Sequence, residues 1–187
     1  MRFYRSSSLN TYLLAPISSN EIPDPDYSML YRSSGQQSGR TSLNNSYSHS
    51  WDTYGIAGLL TEIQPSDSAD YNGIWVGRVS DAGEFWGDAN LTVDFANGHV
   101  NGLLDNPIPT SGTSSLLFGD IEIIGGVLDG EIIGAAEVDI DLGAATYTFS
   151  GPVQGYVYGP SAEEVGGVFD TSALGSQTFT GAYIAKQ

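Results

Sequence analysis

The side chains able to do chemistry in this sequence are unevenly supplied. Imidazole comes only from His49 and His99, and neither sits in a metal-ligand spacing or near a serine motif. Ser-His-Asp catalysis therefore has no support. Cysteine is absent, which removes disulfides, thiolate metal sites, cysteine nucleophiles and a lipid-bearing cysteine together. Carboxylates are abundant, and a suitably spaced pair could hydrolyse a glycoside, but abundance is not placement. Glu137, Asp139 and Asp141 share one face of a strand by period 2 and read as an outward, wet face, with calcium binding as the functional alternative. They lack the Asp-x-Asp-x-Asp-Gly loop of a calcium site. The sequence names no catalytic residue, no metal ligand and no cofactor.

Residues suited to contact are easier to find. Pro107, Ile108 and Pro109 put an apolar residue into a pre-stiffened stretch, read as part of a long loop from Asn106 to Ser114. Tyr156 and Tyr158 share one face of a later strand. These five are the binding candidates. Trp75 and Trp86 read as core or barrel-filling aromatics, and His99, next to the Asn97-Gly98 turn, as a solvated strand residue.

The elements that must position these residues are short strands. Leu91, Val93 and Phe95 alternate with Asn90, Thr92 and Asp94, the period of a strand with one wet face. Ala96-Asn97-Gly98 then makes a hairpin turn. Gly125-Gly126 reads as a second turn, between Leu116–Ile124 and Val127–Ala135, and Ala162 to Glu164 as one helical turn. Such spacing predicts an all-β fold, and glycines at positions such as Gly73, Gly77, Gly87 and Gly181 favour a small closed antiparallel barrel of about eight strands. Bent strands need glycine at corners, and a narrow lumen filled by large rings needs bare backbone opposite them.

Residues 1–53 read as a largely irregular N-terminal arm before a barrel at 54–187. The arm has Pro16, Pro23 and Pro25 and no sustained period, yet aromatics such as Tyr27, Tyr47 and Trp51 could dock it on the barrel or a neighbouring chain. That arm is the route to an oligomer. No apolar run reaches the roughly 18 residues of a membrane helix, so no membrane insertion is expected, and Leu9 to Ile17 is too interrupted for a signal core.

Charge narrows the partners. Residues 41–187 hold Arg78 and Lys186 against nineteen acids, a net charge of −17. Such a surface repels phosphate backbones, so nucleic acid is not a partner. Solubility explains the imbalance, and recognition of a basic partner is the sharper reading.

One stretch carries a resemblance. Gly155-Tyr156-Val157-Tyr158-Gly159-Pro160-Ser161-Ala162-Glu163-Glu164-Val165-Gly166-Gly167-Val168-Phe169 resembles the closing hairpin of the transferrin-binding protein B family barrels. There an aromatic-Tyr-Gly-Pro turn leads through Ala-x-Glu to a Gly-Gly-x-Phe strand, and Val157 replaces the first aromatic here. Phe179 and Gly181 are similar to the family's last strand. The resemblance implies a surface-exposed eight-stranded barrel of Gram-negative bacteria that captures transferrin, other host proteins or haem. The family's N-terminal handle domain and anchor cysteine are not visible in this sequence.

The expected function is thus a non-enzymatic binding module, surface-exposed or secreted, that holds a protein or small ligand through barrel-end loops. The alternative is a structural or decoration protein of a larger assembly such as a phage virion, its arm contacting neighbouring subunits. A carboxylate-dependent hydrolase is the third reading, to be revived by a deep pocket with converging acids.

Overall fold

The computed structural model describes residues 8–13, 28–40, 46–61, 65–80, 82–109, 117–143, 145–173 and 177–187. Three strands come first: β1 (Ser8–Leu13), β2 (Ser28–Arg40) and β3 (Ser46–Gly58). They form an antiparallel sheet of order β1-β2-β3. Nine more follow: β4 (Ser68–Val79), β5 (Gly83–Asp94), β6 (His99–Pro109), β7 (Leu117–Phe118), β8 (Ile121–Leu128), β9 (Glu131–Asp141), β10 (Thr146–Tyr158), β11 (Glu164–Ser172) and β12 (Thr178–Lys186). Each of β4, β5, β6, β8, β9, β10, β11 and β12 pairs antiparallel with two neighbours, and β12 returns to β4, so the sheet closes into an eight-stranded barrel. Strand β7 extends the β8 side of β9 beyond an irregularity at Gly119 and Asp120. The all-β barrel read from the sequence is the barrel found.

Alternation sorts the strands. Along β5, Phe85, Ala89, Leu91 and Val93 point inward while Asp88, Asn90 and Thr92 face solvent. The lumen is packed solid around Phe179, whose ring meets Phe169 at 5.0 Å, Phe118 at 5.8 Å and Trp75 at 6.0 Å between centroids. These tilted and edge-on contacts suit aromatic quadrupoles. Trp75 is fully buried and donates its Nε1–H to the Asp105 carbonyl at 2.9 Å. At Gly181 a Cβ would lie 2.4 Å from Phe169 Cζ and 2.3 Å from the Val76 carbonyl oxygen. Bare backbone there is a condition of the packing.

Several sequence expectations change. Gly125-Gly126 is not a turn: β8 runs through it, and Asp129-Gly130 turns instead, with φ of 51° and 79°, as a two-residue hairpin with both centres left-handed requires. Ala162 has φ 63° and no helical turn forms before β11. Asn106 to Pro109 belong to β6, paired through Phe85↔Pro109 and Trp86↔Ile108 past an irregularity at Trp86/Asp88. The β6–β8 ladder stops at Leu104↔Ile121, so Pro107 and Pro109 stand where β6 has lost that neighbour and a missing N–H removes no bond to it. The remainder of the expected loop, 110–114, lies outside the described residues.

Residues 1–53, irregular by period, contain β1, β2 and the beginning of β3, and the division at 53/54 falls within β3. Tyr54 and Leu30 are buried against Val76, Ala182 and Ile184 on the outside of β4 and β12, with Ile56, Ile74, Trp86 and Val168 around them. Trp86 is therefore an outward residue under the small sheet and not a lumen filler. Ile56 lies so close over Gly166 that a Cβ there would meet its Cδ1 at 1.9 Å. Tyr54 donates to Glu84 Oε1 at 2.8 Å, and Ser28 Oγ donates to the fully buried Glu164. Period failed to show these strands because β2 and β3 are largely polar and lean on pairing with each other.

Candidate binding surface

The two ends of the barrel differ. At one end lie the β5–β6, β8–β9 and β10–β11 turns, the chain end at Gln187 and the connection from β3 to β4. The Gly159–Glu163 turn folds over this mouth. Its Ala162 is buried, and the Ala162 carbonyl accepts from Tyr71 Oη at 2.7 Å and Gln187 Nε2 at 3.0 Å. Burial raises the Tyr71 phenol above its ordinary value, with the bond from Gln187 pulling the other way. Thr61 donates its Oγ1–H to the Gly159 carbonyl at 2.7 Å, and Gly159 N donates to Leu59 O at 2.8 Å. The turn with the Gly-Pro pair is thus a plug, held by short bonds from three parts of the chain.

Beside the plug is a surface cleft of about 500 Å³ lined by Leu60, Leu128, Glu131, Ile133, Tyr156 and Val157, with Asp129 and Gly130 of the hairpin turn at its edge. Leu60, Leu128 and Ile133 are large aliphatic side chains exposed by 51%, 75% and 62%. Glycine makes room: Gly98 and Gly126 line the cleft as well.

Of the five contact residues read from sequence, Tyr156 lines this cleft and is half-buried, while Tyr158, on the same strand, is buried beneath the β3–β4 connection. Pro107, Ile108 and Pro109 lie toward the far end of β6, at the opposite mouth, with Ile108 exposed. The candidates therefore divide between two ends. The sequence reading missed Leu60, Leu128 and Ile133 as contact residues; for Leu128 and Ile133 the signal available was that they stand on strands where alternation should place a polar residue.

Among the described residues no three His, Asp or Glu side chains stand together to hold a metal. Asp139 accepts from Thr148 Oγ1 at 2.6 Å and Asp141 from Gly143 N at 2.7 Å, so two members of the acidic stripe serve a cross-strand pair and a turn. Asp105 is raised from the ordinary carboxylate value by burial and then by Asp88 and Asp120, but it lies on β6, away from the cleft.

A family model described as the C-lobe and N-lobe β-barrels of Tf-binding protein B matches residues 41–187. Among solved structures the chain is similar to intact Ap-TbpB with its N and C lobes, at a TM-score of 0.57 and 16% identity over 96% of this chain and 38% of that one. It is similar to the isotype 1 transferrin-binding protein B of serogroup B Neisseria meningitidis, at 0.56 and 17% over 88% and 35%. A structure described as a surface lipoprotein matches at 0.51 and 17% over 92% and 85%. The chain spans little more than a third of the length of the first two. The likeness at these identities is one of fold. A search of the curated proteins finds no match.

Proposed function

The chain belongs to the family of transferrin-binding protein B β-barrels, and from that premise we propose that it is a non-enzymatic binding module, exposed on a Gram-negative cell surface or secreted, that holds a protein partner at one end of its barrel. The observation that carries this reading is the cleft between Leu60, Leu128, Ile133 and Tyr156, apolar and open on an otherwise acidic molecule. Exposed aliphatic clusters with polar rims are where proteins meet other proteins, and a tyrosine at the rim adds an amphipathic anchor. The plugged mouth and filled lumen support an outer contact over a ligand held inside the barrel.

Transferrin, named for the solved relatives, is the first partner to try. Biolayer interferometry of the full chain against transferrin, then against fractionated serum and secreted proteins, should give a saturable complex that Leu60→Ser with Tyr156→Ala weakens by about tenfold, a loss of about 1.4 kcal/mol. A saturable complex indifferent to that pair, or no complex with any of these proteins, would overturn the proposal. Pro107, Ile108 and Pro109 offer a further contact at the other mouth, read out by Ile108→Ser in the same assay.

A further inference from the structure

The barrel wears apolar residues on two opposite outer walls, and among the described residues the chain covers one of them. On β4 and β12 the outward Val76, Ala182 and Ile184 are buried under β2 and β3. Opposite, on β8 and β9, the outward Ile124, Leu128 and Ile133 are 63%, 75% and 62% exposed. Registers Ile124↔Ala135 and Gly126↔Ile133 make them one continuous patch, with Gly126 leaving a shallow trough between them.

The charges around that patch say what can cover it. Directly next to Ile124↔Ala135, the same ladder pairs Glu122 with Glu137, two exposed carboxylates facing each other across neighbouring strands. Like charges in that position destabilise a sheet. Asp129 and Glu131 close the other end of the patch, while Arg78 and Lys186 stand on β4 and β12, the far wall. A second copy of this chain would bring Glu122 and Glu137 against more carboxylates on a molecule of net charge −16, and an anionic lipid surface would be repelled likewise. A cation seated between the two glutamates, on a segment that also carries aliphatic side chains, satisfies both features at once.

Resting on the reading of the chain as a protein-binding module, we infer that the outer face of β8 and β9 is a docking surface for a partner-protein segment in which aliphatic side chains are flanked by Lys or Arg. The aliphatic side chains fill the trough beside Ile124 and Ile133, and the cation bridges Glu122 and Glu137.

The test uses the full chain and a fluorescent alternating Lys-Leu decapeptide as probe, read by anisotropy at about 0.15 M salt, where distant surface charges are screened. Lys-Ser and Glu-Leu peptides separate the aliphatic from the charge requirement. Lys-Leu should bind at least about tenfold tighter than either. Ile124→Ser with Ile133→Ser, and separately Glu122→Gln with Glu137→Gln, should each weaken it by about tenfold, while Asp67→Asn with Asp170→Asn, which removes two exposed acids elsewhere, should change it by less than about twofold. Equal losses in the control pair, or none in the isoleucine pair, would overturn the inference. If the isoleucine pair fails to fold by circular dichroism, the glutamate pair decides alone. Self-association in the ultracentrifuge that disappears with Ile124→Ser and Ile133→Ser would assign the face to a second copy and also overturn it. Should a complex found by interferometry survive Ile124→Ser and the glutamate pair yet be weakened by Leu60→Ser with Tyr156→Ala, this inference falls while the module reading stands; should no protein complex exist at all, both fall.

Discussion

Tyr183 lies flat in the lumen across Gly155 and Gly167, its hydroxyl 3.0 and 2.7 Å from where their Cβ atoms would stand. It is fully buried, and no described group bonds its hydroxyl. Burial, and then Tyr158, raise the phenol above its ordinary value. A buried unbonded hydroxyl carries its desolvation cost without return, so Tyr183→Phe should stabilise the chain by about 1 kcal/mol, seen as a Tm rise of about 2–4 °C. A fall in Tm would show that the hydroxyl is bonded in solution. Gly181→Ala should do the reverse, costing about 1–3 kcal/mol in urea unfolding, because the Val76 backbone and the Phe169 ring both occupy the Cβ site. Carboxylate titration by NMR gives a third check. Asp94, held low chiefly by bonds from Asn97, contributes stability above the ordinary carboxylate value that fades as pH falls through its own lowered value. Asp105 has the opposite sign: raised by burial, Asp88 and Asp120, its ionisation opposes folding as pH rises. Asp105→Asn should therefore be mildly stabilising at pH 7, by under about 1 kcal/mol, and neutral at pH 3.

At the scale of elements, the described side chains that fasten the small sheet to the barrel come from the start of β2 and the end of β3. Leu30, Tyr54 and Ile56 supply the apolar contact, with Ser28 to Glu164 and Tyr54 to Glu84 as polar ties. Leu30→Ala with Ile56→Ala should remove about 2–5 kcal/mol per site from docking, so limited proteolysis should cut within residues 28–58 while the barrel's unfolding transition persists. Loss of both in one transition would show that sheet and barrel fold as one unit. This element was also the least legible in sequence. The barrel strands announced themselves by alternation, as Leu91, Val93 and Phe95 do, and by glycines facing rings. β2 and β3 carry serine, glutamine and glycine at positions where alternation would be read, so only their pairing reveals them. Hairpin turns were half legible: Asn97-Gly98 was found, whereas Gly125-Gly126 hid Asp129-Gly130, because a glycine pair serves a tight strand crossing as well as a turn.

At the scale of the molecule, the chain builds a solid barrel, shields one wall with its own sheet, plugs one mouth with the Gly159–Glu163 turn, and leaves an aliphatic cleft and wall beside that plug. The resemblance visible in residues 155–169 pointed to the fold and proved to mark the plug. The contact surface was not legible there, since Ile124, Leu128 and Ile133 come from the β8–β9 hairpin and Leu60 from the β3–β4 connection, segments far apart in sequence that only the folded chain brings together. If this end of the barrel holds a protein, hydrogen–deuterium exchange of the full chain, free and saturated with the partner that interferometry identifies, will show it. Slowed exchange is expected foremost in the β3–β4 connection near Leu60, the β8–β9 hairpin from Ile124 to Ile133 and the end of β10 at Tyr156. Protection at the opposite mouth around Pro107 to Pro109, with these three segments unchanged, would contradict it.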